Sequence, residues 1–412
     1  YSHAELGYKE FQTSGKFVKK MEQLGLRTEK GFAITGVKAY LNEDKKENAS
    51  LALLGELDAL RIPEHAFANP ETNAAHCCGH HAQMAGVFGA ALALTVPEIA
   101  EKLDGQVVFF ATPAEEYGEI EFKNQLREQG KIRYGGGKCE LLRIGAFDDI
   151  DLCLTHHIRP GNEILVGSGT GNGFVSKVIR VLGKASHAAG APEKGVNALS
   201  AASLGLQALG LNRETFRDED CVRVHPIITK GGNLVNVIPD EVVVETLVRG
   251  KTIEAFTDAA KKTDRSFKAG AIAMGAKVEI STLPGYLPTL AEEALPELKH
   301  AAEISASGIP VIEASGHAGG STDVGDVQHL MPVYTFNTGG VKGGLHQIDF
   351  EVTDEEEAYI VTAKMFALAA YGLLKEKAQR SRELVDQYEP VFKNSAEYVE
   401  FMEQFDSKEI FE

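Results

Sequence analysis

Ser50-Leu51-Ala52-Leu53-Leu54-Gly55-Glu56-Leu57-Asp58 is an apolar run that ends on a carboxylate, with Lys45, Lys46, Glu47 and Asn48 before it and Pro63 after it. Such a run, bounded by charge and proline, reads as a buried strand. Outward from it the pattern alternates. Residues 79–97 carry Met84, Val87, Phe88, Ala91, Leu92 and Leu94 at helical spacing, and 106–111 (Gln-Val-Val-Phe-Phe-Ala) is a second buried strand. A third is expected over 151–155. Strands alternating with helices predict an α/β fold whose function gathers at the C-terminal ends of the strands. Asp58, Glu115-Glu116 and His156-His157 all follow such ends.

The pattern changes after Gly167-Ser168-Gly169-Thr170-Gly171-Asn172-Gly173, which reads as a hinge. Phosphate binding is the other reading of so many glycines, but no Gly-Lys-Ser/Thr or GxGxxG follows. Beyond it come a strand (174–182), a helix (195–211), strands (221–229 and 241–249), a long helix (253–275) and a strand (277–283). That β-α-β-β-α-β order is the ferredoxin-like unit. It predicts a catalytic α/β domain begun by 1–170, an inserted domain over 171–285, and a return to the first domain over 286–412. In that last part helices are expected near 290–307 and 354–376 and a strand near 332–336, with a charged, helix-prone extension from Lys377.

Composition narrows the function. Of 412 residues, 43% are apolar and 25% charged, the balance of a soluble globular protein. No uninterrupted apolar run approaches the length of a membrane span, and Tyr1-Ser2-His3-Ala4-Glu5 has no signal-peptide character. The chain begins without Met, which fits a trimmed leader. A formal charge of −17 argues against nucleic acid or an anionic membrane as partner. The five cysteines are odd in number and unevenly spaced, so they read as cytosolic thiols and the expected compartment is the cytoplasm.

The chemistry concentrates in His76-Cys77-Cys78-Gly79-His80-His81 and in Pro113-Ala114-Glu115-Glu116. Thiolate, imidazole and carboxylate are the usual ligands of zinc and its neighbours. Cys78 and His80 flank Gly79, where a turn can aim both at one point; no second Cys/His pair has zinc-finger spacing. At a strand end, adjacent carboxylates can border one cavity, one binding metal and the other taking a proton. Of His156 and His157, one suits a ligand and the other ordinary surface. His346 lies in the glycine-flanked loop Gly343-Gly344-Leu345-His346-Gln347.

Six segments in order carry a resemblance: Gly55-Glu-Leu-Asp-Ala-Leu60, His76-Cys-Cys-Gly-His80, Pro113-Ala-Glu-Glu116, Ser186-His-Ala-Ala189, Asn236-Val-Ile-Pro-Asp240 and Gly320-Ser-Thr-Asp-Val-Gly325. Together they resemble the M20 metallopeptidases, and within them the branch of aminobenzoyl-glutamate, indole-acetyl-amino-acid and N-acyl-amino-acid amidohydrolases. The resemblance runs from about residue 5 to 375. It implies a metallopeptidase-type mixed sheet flanked by helices, with an inserted ferredoxin-like α+β lid and dimerisation domain. It implies two divalent ions per chain, zinc or manganese with cobalt possible, held by Cys78 as bridging thiolate and by His80, Glu116, His157 and His346. Glu115 would be the general base, and Asp58 a carboxylate that orients a ligand. His187 would stabilise the oxyanion, reaching the site of a partner subunit in a homodimer. Asn236 and Arg249 would help hold an N-acyl amino acid or dipeptide substrate.

Two positions depart from the family pattern, Cys77 where alanine is usual and His81 where Asp or Asn is. His81 could compete as a ligand. Two readings from other classes stay open: a thiol amidase using Cys78 or Cys77 with a neighbouring histidine, and a metal-binding protein of this fold without turnover.

Overall fold

The Ser50–Glu56 strand is buried along its whole length because it lies inside an eight-stranded sheet in this computed structural model, which describes residues 1–306 and 308–412. The order across that sheet is Arg27–Phe32, Gly36–Leu41, Gln106–Thr112, Ser50–Glu56, Leu152–Ile158, Val333–Thr338, Ile164–Val166 and Val311–Glu313. Its centre is parallel: Ser50–Glu56 pairs in parallel with Gln106–Thr112 and with Leu152–Ile158, which pairs in parallel with Val333–Thr338. The Arg27–Phe32 and Gly36–Leu41 strands are antiparallel, so the sheet is mixed. Parallel centres are covered on both faces, and the near-continuous apolar run follows from that.

Alternate residues of the central strand face opposite ways. Leu51 and Leu53 join a core with Val87, Ala90, Ala91 and Leu94 of the His80–Leu94 helix and with Phe366, Ala370 and Leu373. Glu356–Gln387 is the one described helix long and apolar enough to cross a membrane, at a mean hydropathy of 1.3 over its most apolar window. Its Val361, Met365, Phe366, Ala369 and Leu373 lie in the core, which accounts for that apolar side. The helix expected to stop at 376 reaches Gln387, but Lys375–Ala378 leave helical geometry, and Glu376, Lys377 and Ala378 have positive φ.

The contacts divide the chain into two units, with boundaries after Gly169 and Thr289. The second unit has the strands Gly173–Leu182, Glu241–Gly250 and Lys277–Tyr286 with the helices Ala198–Asn212 and Ile253–Met274. The expected strand 221–229 is two short ones, Arg223–Val224 and Ile227–Lys230, separated by His225-Pro226, since proline cannot donate to a ladder. Both pair with Glu241–Gly250, which pairs with Gly173–Leu182, which pairs with Lys277–Tyr286, all antiparallel. That is the ferredoxin-like order. Val242, Val244 and Val248 turn to the helices and pack on Phe256, Ala259 and Phe267.

The chain's end departs from expectation. Residues Val399–Glu412 group with the second unit, not the first, and so do Ala318–Gly325. Ser407–Phe411 is a strand that pairs antiparallel with Lys277–Tyr286, with Val278 opposite Phe411. An uncovered edge strand leaves a row of unpaired backbone groups, which this addition satisfies. Charge along Lys408-Glu409 hid the strand, because it is exposed on most of its length.

Candidate metal centre

The parallel strands of the first unit end together, and their ends carry the chemistry. Asp58 follows Ser50–Glu56, Glu115 and Glu116 follow Gln106–Thr112, and His157 is near the end of Leu152–Ile158. Gly79 is the hinge of the Cys78-Gly79-His80 turn. Its φ is +92°, and a Cβ there would stand 2.0 Å from Ile158 Cγ2, so only glycine lets this turn lie against the strand. His80 then opens the His80–Leu94 helix. His346 has left-handed backbone, φ +62°, and its N–H donates to the Cys77 carbonyl at 2.8 Å. That bond ties a loop distant in sequence to the hexapeptide.

Cys78 Sγ lies 3.3 Å from His157 Nε2 and 3.3 Å from His346 Nε2. His346 Nε2 is 2.9 Å from Glu116 Oε1. Two donors bound to one ion at about 2.0–2.3 Å stand roughly 2.9–3.6 Å apart, so these separations fit a shared cation. Among the described residues, three sets have donor atoms within 4.8 Å of one another: Cys78, His80 and His157; Cys78, Glu116 and His346; Glu56, His80 and Glu115. Cys78 belongs to two of them, the position a bridging thiolate would take.

The imidazoles of buried His80 and half-buried His157 are both fixed in orientation. His80 Nδ1 contacts the Asp58 carbonyl at 3.0 Å and Asp58 Oδ1 at 3.1 Å. His157 Nδ1 contacts the Ile158 carbonyl at 2.7 Å. Each Nδ1 therefore carries the proton and leaves Nε2 as the donor atom, the usual support of a metal-binding histidine. Asp58 Oδ2 also accepts the Glu116 N–H at 2.9 Å, so one buried carboxylate orients two members of the site. Among the described residues, buried His80 Nε2 and Glu116 Oε1 make no hydrogen bond of regular geometry, and their near neighbours are Glu56 Oε2 at 3.2 Å and His346 Nε2 at 2.9 Å. A cation is the group that would satisfy both.

Electrostatics agree with a cation site. Burial pushes the Cys78 thiol well up. At His80 burial opposes charge, but Cys78 and Glu56 outweigh it and hold the imidazolium well above the usual histidine range. Burial, with the charge of His80, keeps His157 below that range and neutral. Metal binding would exchange for the protons on Cys78 and His80.

The remaining sequence candidates divide. His81 does not join Cys78: its ring lies 5.2 Å from that of His76 and 5.9 Å from that of Tyr359, with both nitrogens buried. His156 is not surface but core, its ring tilted 47° against that of Phe336 and its Nε2 at 2.8 Å from Thr338 Oγ1. His187, Asn236 and Arg249 belong to the second unit. The exposed His187 accepts the N–H groups of Ala189 and Gly190 on Nδ1 at 3.3 and 3.0 Å, which puts its proton on Nε2. The Asn236 carbonyl accepts from Ala188 N–H at 3.0 Å, tying it to the His187 segment. Arg249 lies over the Phe174 ring at 5.8 Å and opposite Arg223 in the sheet. Sequence reasoning missed Glu56, a carboxylate inside an apolar strand. That anomaly was its only signal.

A family model, Peptidase family M20/M25/M40, matches residues 52–371. The chain belongs to that family of hydrolases. This M20 chain is 28% identical over 311 residues to the Xaa-Arg dipeptidase of Mus musculus, covering 74% of this chain and 64% of that protein. It is thus similar to somewhat under two thirds of that relative's length. It is 25% identical to the N-acetyl-L-cysteine deacetylase of Bacillus subtilis, over 93% of this chain and 88% of the other. Among solved structures, a dinuclear metal binding peptidase of the M20 family from Bacillus subtilis superposes with a TM-score of 0.61 at 24% identity, covering 90% of this chain and 95% of that one. That likeness is one of fold.

Proposed function

We propose that this M20 chain is a binuclear metal-dependent hydrolase of an amide bond in an N-acyl or N-aroyl amino acid, aminobenzoyl-glutamate-like, or in a dipeptide. The observation that carries the reading is the placement of Cys78 Sγ at 3.3 Å from two histidine nitrogens that come from different strands and loops. Cys78, His80, His157, Glu116 and His346 would hold the ions. Thiolate and imidazole suit zinc, and the carboxylates suit manganese or cobalt. Divalent ions held there would polarise a carbonyl and acidify water toward neutrality.

The protein's own groups do the rest. Glu115, 8% exposed and with Oε2 at 3.9 Å from His80 Nε2, takes a proton from the attacking water and passes it to the departing amine. His187, with its proton on Nε2, donates to the oxyanion, acting from a partner subunit. Asn236 and Arg249 hold the substrate's carbonyl and carboxylate, Arg249 against the repulsion of a chain charged −17. The partner is a second copy of this chain, met through the second unit. Ile227, Ile228, Leu234 and Val235 support this, since all are exposed there. The proposed compartment is the cytoplasm, where thiols stay reduced.

The thiol-amidase reading fares worse. Burial pushes Cys78 up, whereas a nucleophilic thiol needs a lowered pKa. Metal content per chain, measured by plasma mass spectrometry on protein purified without chelator, tests the proposal together with hydrolysis of N-acetyl and N-aminobenzoyl amino acids. Near two equivalents and turnover abolished by chelator are expected. A folded chain that takes up no zinc, manganese or cobalt would overturn it.

A further inference from the structure

Glu56 is a buried carboxylate that the proposed reaction leaves unused. It closes the Ser50–Glu56 strand at 3% exposure. Its Oε1 lies 2.6 Å from the Nζ of Lys138, a lysine with no exposure. Gln83 clamps it on the other side, donating from Nε2 to Glu56 Oε2 at 2.8 Å and accepting the Glu56 N–H on Oε1 at 2.9 Å. The lysine is delivered by the same turn that presents the twin carboxylates: the Gly137 N–H donates to the Ala114 carbonyl at 3.0 Å. A Cβ on Gly137 would fall 1.6 Å from the Pro113 oxygen, so glycine is required for that approach.

A charge-balancing role for Lys138 would need only one carboxylate oxygen. The other, Oε2, stands 3.2 Å from His80 Nε2 without a hydrogen bond between them. Because His80 Nδ1 donates to Asp58, Nε2 is the ring nitrogen left to face that oxygen. A cation between the two atoms would draw on a lone pair from each. The separation is also that of two donors on one ion. His80 has a single nitrogen to offer, so the set Glu56, His80 and Glu115 and the set Cys78, His80 and His157 describe surroundings of the same ion.

We propose that Glu56 is a further ligand of the ion at His80, oriented by Gln83 and Lys138, which gives that ion an oxygen donor beside Cys78, His80 and His157. The inference rests on the binuclear reading of the site. Lys138, by holding Oε1, leaves one oxygen for the ion and makes Glu56 a monodentate ligand.

The test uses the full chain loaded with cobalt(II), with affinity read by chelator competition and coordination by the visible bands. Glu56→Gln alone takes the anion from beside a buried lysine and can unfold the protein, so Glu56→Gln with Lys138→Met, which removes both charges, is the deciding variant. Its expected behaviour is a circular dichroism spectrum like wild type, one of the two ions bound about a hundredfold more weakly, and changed d–d bands from the loss of one donor. Unchanged affinity and bands would confine Glu56 to neutralising Lys138 and overturn the inference. So would weakened affinity with unchanged bands, which would make Glu56 a positioning residue only. Wild-type protein that takes up no cobalt would sink the reading of the whole site; two ions in wild type and two unperturbed ions in the double variant would sink this inference alone.

Discussion

Cys78 and His80 differ from His76, Cys77 and His81 in nothing that residue type reveals, yet one hexapeptide sends them to opposite environments. Cys78 and His80 face carboxylates and histidines at the strand ends. Cys77 packs with Ala75, Ala82, Ile158, Val341 and Phe350, and His81 lies tilted against His76 and edge-on to Tyr359. The turn at Gly79 and the helix start at His80 make the division, because neighbouring side chains at a helix N-terminus diverge. Ligand chemistry here follows from direction and second partners. Each prediction below strains that contrast.

The largest effect is expected at the centre of the polar side. Glu115→Gln keeps the shape and removes the base, so turnover should fall about 10²- to 10⁴-fold while the metal content stays at the wild-type value. Paired measurement of kcat and metal stoichiometry checks it. A variant keeping more than about a tenth of wild-type kcat would remove Glu115 from the proton path.

Asp58 comes next, because it touches no substrate yet holds His80 and Glu116 together. Asp58→Asn retains the size but leaves the amide to orient an imidazole that a carboxylate oriented before. Metal affinity at the His80 side should drop about 10- to 100-fold, the usual cost of losing such a partner. The pH profile should move with it, since burial raises the Asp58 carboxyl but the His80 hydrogen bond holds it below its ordinary value. Its stabilising interaction is present above the ordinary carboxylate range and is lost as pH falls through the depressed value. Competition with a fluorescent chelator at two pH values reads both. Equal affinity in the two proteins would show that His80 needs no oriented partner.

Much of this was legible without coordinates. The strands at Ser50–Glu56 and Gln106–Thr112 are apolar along their length because both faces are covered, and the βαββαβ order of the second unit follows its period changes. The edge strand Ser407–Phe411 was not legible, since its charge resembles an exposed helix and its pairing partner lies far back in the sequence. In the site, Cys78, His80, Glu115, Glu116, His157 and His346 stand out as residue types next to strand ends or glycines. Which of two adjacent histidines faces the site depends on pleat and helix phase; His156 shows it, placed in the core by its contacts with Phe336 and Thr338 rather than on the surface. Glu56 stayed hidden because its meaning lies in Lys138, eighty-two positions away.

The smallest expected effect is on the packed side of the hexapeptide, and it is the sharpest test of the contrast. Both His81 ring nitrogens are buried without hydrogen bonds among the described residues, and an unsatisfied buried polar group costs about 1–3 kcal/mol. His81→Phe keeps the ring in place among His76 and Tyr359 and removes those atoms. Stability should therefore stay within about 1 kcal/mol of wild type or rise, with both ions retained and turnover within about twofold. Urea unfolding and metal analysis on the same preparation measure it. If His81→Phe released an ion, the hexapeptide would be binding with both sides, and the turn at Gly79 would not divide it. Retention of both ions, beside loss of one on changing His80, would mean that a single residue step along the chain separates a ligand from a packing ring.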